Sequence, residues 1–184
     1  MEDGKLGSVE LFKTTDTDDL LRGQVDPPLS LSQATNEKNW YLRDSNWDPH
    51  FPESAERAAW FVQRELSRKV DIVLAVNLSG VQMLLETTGQ VGSTDAKNLL
   101  SSYLTQPNLI FEVLQTIQQR LPTLTTQQKA RTISWLLAAL ESRQALLHPL
   151  TFSSPSVSRV GWDGQIQLSG CRVQIPCLVD TIYA

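Results

Sequence analysis

The chain has two cysteines and two histidines in 184 residues. That scarcity removes several chemistries at once. Cys171 and Cys177 are separated by five residues, not the two to four of a zinc-binding pair, and His50 and His148 lie about a hundred positions apart. A zinc site would need all four to converge from separate segments. No helix start flanks either cysteine to activate a thiolate, so a Cys/His hydrolase using His148 is only a second alternative. The nine glycines are dispersed. They form neither a phosphate-cradling loop nor a Gly-x-Ser-x-Gly elbow.

Long hydrophobic runs are missing too. No stretch approaches the 18–20 apolar residues of a membrane span, so no membrane partner is expected. Residues 1–15 carry Glu2, Asp3 and Glu10 and no apolar run, unlike a secretory signal. The expectation is an intracellular protein, cytoplasmic or nuclear, with both thiols reduced. The Asn77-Leu78-Ser79 sequon then has no consequence.

Lysine is scarce, and Leu, Gln, Ser and Thr dominate. The hydrophobic fraction of 41% is enough to bury a core. The net charge of −4 is uneven. Residues 1–50 hold ten acids and five bases, and residues 51–184 hold ten acids and eleven bases. An acidic first segment repels phosphate backbones and suits a basic protein surface.

That first segment, 1–51, reads as an extended acidic arm. Asp16, Asp18 and Asp19 form a polar run, and Pro27-Pro28 interrupts regular structure. Trp40, Tyr41, Trp47 and Phe51 fall within twelve residues. So much aromatic surface must be covered, by the chain's own helices or by a partner. Asp44-Ser45-Asn46-Trp47-Asp48 begins like a calcium loop, but Pro49 stands where the sharp turn needs Gly and Ala55 where it needs a bidentate Glu. A turn cluster before a helix is the better reading.

Residues 52–150 read as a bundle of about five helices. Pro52 suits a first turn, and Ala55, Ala58, Val62 and Leu66 recur at helical spacing. Arg57, Arg64, Arg68 and Lys69 form the chain's basic strip. Residues 70–76 are ambiguous: β-branched residues favour strand, while the absence of Gly or Pro after Lys69 favours continued helix, which we prefer. Helices follow over 81–86, from Ser93 to about Thr105, and from Pro107 to Leu121. A capping box at Thr125–Gln128 opens the longest one, 126 to about 147. The last two read as an antiparallel hairpin of helices.

Residues 151–184 read as a β-meander packed on the bundle or on a partner. Val160, Trp162, Ile166 and Leu168 alternate around Asp163-Gly164, and Cys171, Val173 and Ile175 supply a third strand.

The fold class expected is therefore α-rich α+β: a helical bundle, a small C-terminal antiparallel meander and an extended N-terminal arm. The function expected is a non-enzymatic interaction or assembly subunit in a hetero- or homo-oligomeric complex, without cofactor or metal. Trp40, Tyr41, Trp47 and Phe51 would anchor the partner, with Arg57, Arg64 and Arg68 beside them. The C-terminal strand edge would extend a partner's sheet. The alternative is a nucleic-acid-associated subunit using the Arg57–Lys69 strip.

Overall fold

The computed structural model describes residues 10–106 and 108–166. It is mostly helical with a small two-stranded antiparallel sheet, an α+β arrangement. The described helices are α1 (Leu29–Thr35), α2 (Phe51–Leu66), α3 (Leu78–Thr88), α4 (Leu99–Thr105), α5 (Leu109–Arg120), α6 (Thr126–Glu141) and α7 (Pro155–Arg159). The strands are β1 (Ile72–Val76) and β2 (Ala145–Pro149). Among the described residues no helix is long and apolar enough to cross a membrane.

Two left-handed residues explain where helix gives way to strand. Ser67 has φ of 54°, so α2 stops at Leu66, and the expected continuation through 70–76 is instead strand β1. Arg143 has φ of 60°, so α6 stops at Glu141 rather than near 147. Neither residue is Gly or Asn, the usual signals for that conformation. Once freed, Ala145–Pro149 pairs with β1 in the register Val73 to His148 and Ala75 to Leu146.

The expected capping box is present. The Gln128 N–H donates to Thr125 Oγ1 at 3.3 Å, and the Thr125 N–H donates to Gln128 Oε1 at 2.9 Å. The expected hairpin of α5 and α6 is not. α6 packs chiefly on α3, where the Trp135 indole N–H donates to the Gly80 carbonyl at 3.0 Å. One core cluster joins Leu85 of α3, Leu99 of α4 and Val113 of α5. A second joins Leu140 of α6 to Ala145 of β2.

The arm is not extended throughout. Residues 10–50 contain α1 and three 3-10 turns, at Thr14–Asp16, Asp18–Leu20 and Leu42–Asp44. They are held against α2 from inside. Glu65, on α2, is buried; its Oε2 accepts from the Thr17 hydroxyl at 2.6 Å and its Oε1 from the Leu42 N–H at 3.3 Å. A buried carboxyl must find such donors, and here both lie in the arm.

The first strand expected of the meander is also different. Val160 and Trp162 follow α7 in a turn, and Trp162 O accepts from the Leu147 N–H at 2.8 Å. Pro155 in the first turn and serines on either side favour a short helix there over alternation. Leu168, Cys171, Val173 and Ile175 lie outside the described residues.

Candidate functional site: an open strand edge and an aromatic cleft

The sheet has one open side. Leu150 N–H donates to Asp71 O at 2.8 Å, and Asn77 N–H donates to Gln144 O at 3.0 Å. These bonds frame the ladder, so the odd-numbered residues of β1, Val73 and Ala75, face β2. Pro149, with no N–H to give, stands opposite Ile72 at a non-bonded position. The backbone N–H and C=O groups of Ile72, Leu74 and Val76 therefore point away from β2. None of them has a partner among the described residues. The far edge of β2 is different, because the 160–162 turn covers it at Leu147.

β1 also leaves apolar side chains open. Ile72 is 46% exposed and Leu74 43%. The strand Ile-Val-Leu-Ala-Val has no charge, proline or bulge to block a neighbour, the devices by which edges are usually guarded. Leu104 on α4 and Ile133 on α6 are likewise exposed.

The residues expected to anchor a partner divide sharply. Trp40 packs edge-on against the fully buried Phe61 at 5.9 Å, and its indole N–H donates to Asp44 O at 3.0 Å. Tyr41 lies under the Arg43 guanidinium at 4.6 Å, and Arg43 itself pairs with Asp18, Glu37 and Asp44. Phe51 opens α2 and is half-buried. Trp47 alone of the four is exposed, at 40%.

The arginines are engaged by the chain itself. Arg68 pairs with Glu10 at 2.6 Å, joining the acidic arm to the basic strip. Arg64 sits over Trp60 at 5.2 Å. Arg57 lies over Trp40 at 4.6 Å and near Trp60 at 5.9 Å. Cation–π geometry holds these guanidinium groups in place without using their N–H donors.

Trp47 and Arg57 share a cleft of about 290 Å³ with Trp40, Asp48, Glu53 and Ser30. Its floor is fixed by short-range bonds. The Trp47 indole N–H donates to Ser30 Oγ at 2.9 Å, Asp48 Oδ1 accepts from the His50 N–H at 2.8 Å, and Ser54 Oγ donates to Asp48 O at 2.7 Å. The Asp44–Asp48 cluster is thus a turn that launches α2. His50 Nδ1 accepts from the Ile166 N–H at 3.1 Å.

A second cleft of about 200 Å³ contains His148, Ser158 and the buried Asp163. His148 Nδ1 has no hydrogen-bond partner among the described residues, and its Nε2 lies 3.9 Å from Glu56. Asp163 Oδ1 accepts from the Gln165 N–H at 3.2 Å. Among the described residues no three His, Cys, Asp or Glu side chains converge on a metal position. Cys171 and Cys177 lie outside those residues.

The family described as "Protein of unknown function (DUF4012)" matches residues 1–117, more than half of the chain. The chain belongs to the DUF4012 family. No curated protein and no solved structure matches it. The DUF4012 match contains the arm, α2, β1, α3 and α4. Both the open edge and the Trp47 cleft fall inside it. β2, which pairs with β1, and α6, which packs on α3 and β2, fall outside.

The two features carry unequal signals in the sequence. Trp47 stands out as an aromatic in a polar segment. The open edge is not legible, because 70–76 shows no alternation and its pairing partner lies in the tail of a helical pattern.

Proposed function

We propose that this protein is a non-enzymatic assembly subunit that accepts an extended segment of another protein chain along β1. The observation that carries this reading is the unpaired row of backbone groups at Ile72, Leu74 and Val76, with Ile72 and Leu74 exposed beside it. Strand addition uses such a row for affinity and the alternating side chains for selectivity. A two-stranded sheet is marginal alone, and a third strand would complete it. Leu104 and Ile133 offer further apolar surface to a large partner.

The docking edge in this reading is β1; the C-terminal strand edge expected from the sequence lies largely outside the described residues. The arm has a different role. Trp40 braces α2 through Phe61, and Tyr41 packs under Arg43, rather than reaching outward. Of the residues in the nucleic-acid alternative, Arg68 is paired with Glu10, while Arg57 and Arg64 lie over the chain's own rings.

Leu74→Pro tests the reading. The Leu74 N–H points outward, so its removal leaves the β1–β2 bonds in place and blocks a third strand. Complexes isolated from the native source with the wild type and with Leu74→Pro are compared, alongside Leu74→Val as control. The partner is expected to bind Leu74→Pro at least tenfold more weakly, about 1.4 kcal/mol, and to bind Leu74→Val nearly normally. Leu74→Lys, which sets a charge on the exposed face, is expected to act like the proline. Equal binding by all four proteins would rule the edge out. Concentration-dependent self-association abolished by the same changes would identify the partner as a second copy of this chain.

A further inference from the structure

The Trp47 cleft shares no residue with β1, and its chemistry points to a small ligand. Four features define it. The first is an exposed indole, Trp47, locked in orientation by its bond to Ser30. A ring held in place loses little freedom when something stacks on it. The second is a set of free donors: Arg57 makes only ring contacts, and none of its N–H groups has an acceptor among the described residues. The third is a set of free acceptors. The Glu53 carboxylate makes no hydrogen bond or ion pair among the described residues, although it lies one helical turn from Arg57, and of the Asp48 carboxylate only Oδ1 is engaged. The fourth is near-balanced charge, with two acids facing one arginine.

Together these features exclude three ligand classes. A quaternary ammonium group needs several open ring faces around it. Here Arg57 already lies on Trp40, leaving Trp47 as the open ring. An anion would gain from Arg57 but would meet Asp48 and Glu53. A proline-rich peptide has few donors to match the free carboxyl oxygens. Among uncharged ligands, the cleft fits one with one apolar face and neighbouring groups that both donate and accept. A pyranose ring has these properties: axial C–H bonds line one face, and each hydroxyl is both donor and acceptor. The C–H groups carry slight positive charge and meet the negative face of an indole favourably. At about 290 Å³ the cleft is at the small end of ligand sites, which suits a unit of one or two rings.

We propose that this cleft binds a neutral carbohydrate, with Trp47 as the stacking platform and Arg57, Asp48 and Glu53 as the hydroxyl partners. The sugar stacks on the open face of Trp47. One hydroxyl accepts from the Arg57 guanidinium while a neighbouring hydroxyl donates to Glu53 or to the free oxygen of Asp48. A bidentate arrangement of this kind selects for adjacent hydroxyls in a fixed relative orientation.

The test uses the full chain labelled with nitrogen-15. Its five tryptophans give five indole N–H signals. The probes are maltotetraose, cellotetraose, mannotetraose and chitotetraose, with tetramethylammonium and a polyproline peptide as contrasting ligands. Saturable shifts confined to the Trp47 and Trp40 indoles are expected with at least one saccharide. Trp47→Ala is expected to weaken that binding tenfold or more, while Trp47→Phe, which keeps a ring, retains part of it. Glu53→Gln, on an exposed side chain, is expected to weaken binding without altering the unfolding curve. The proposal is overturned if no saccharide shifts these signals. It is equally overturned if tetramethylammonium or polyproline shifts them instead, or if Trp47→Ala binds as the wild type does.

Discussion

Phe61→Ala is expected to lower the unfolding free energy by about 3–5 kcal/mol, the range for emptying a fully buried aromatic site. Phe61 is 0% exposed and forms the joint between α2 and the arm. Trp40 meets it edge-on at 5.9 Å from the arm side, and Trp60 at 5.0 Å from its own helix. Truncation removes the ring that both indoles pack against, and two rigid indoles collapse poorly into the space. The loss should reach the arm. Trp40 becomes wetter, Arg57 loses the ring beneath it, and tryptophan emission moves to the red. Urea unfolding followed by circular dichroism and by fluorescence checks both parts. A loss below about 1 kcal/mol, well under the buried-aromatic range, would mean that the arm does not rest on α2.

Gly80→Ala is expected to destabilise by about 1–3 kcal/mol, against a helix-propensity gain of up to about 1 kcal/mol in the opposite direction. Gly80 lies in the first turn of α3, and its N–H donates to Asn77 Oδ1 at 2.9 Å. A Cβ there would meet Val76 Cγ1 at 2.6 Å and Gln144 O at 2.8 Å. Val76 could turn aside, but the Gln144 carbonyl is backbone and already accepts from Asn77 N–H. The extra methyl therefore pushes α3 away from the end of the sheet. It also disturbs the Gly80 carbonyl that receives the Trp135 indole. Thermal unfolding separates the effects, since propensity alone would raise the midpoint and the clash lowers it. A higher midpoint would mean that α3 and the 142–144 turn are not in close contact.

Much of the helical content is legible in the sequence because each helix carries local punctuation. Thr125–Gln128 writes its own capping box, Pro122 follows α5, and Pro52 stands in the first turn of α2. The strands are not legible, because their causes are non-local. β1 needs Ser67 to leave the helix by a left-handed step, and β2 needs Arg143 to do the same. Neither side chain announces that conformation, and each strand is stabilised by the other at more than sixty residues' separation. α1 is not legible after Pro27-Pro28, although Leu31 within it is among the most buried residues. A seven-residue helix has too few positions to show a period.

The candidate sites divide in the same way. The aromatic arm is visible as composition, but composition does not say which surface covers it. Glu65 answers that question, as an acid on an otherwise amphipathic helix that is buried to receive Thr17 and Leu42. A sequence cannot distinguish such a residue from a solvated glutamate. Of Trp40, Tyr41, Trp47 and Phe51, Trp47 is the one that stays outward, because its neighbours Asp48 and Pro49 turn the chain away before α2 begins.

Amide hydrogen exchange, resolved residue by residue along β1, tests the open edge most directly. In the free protein the Val73 and Ala75 amides, which face β2, are expected to exchange slowly, and those of Ile72, Leu74 and Val76 quickly. In the assembled complex the second set is expected to become slow while the first is unchanged. Protection of Ile72, Leu74 and Val76 in the free chain, or their continued fast exchange in the complex, would contradict strand addition at β1.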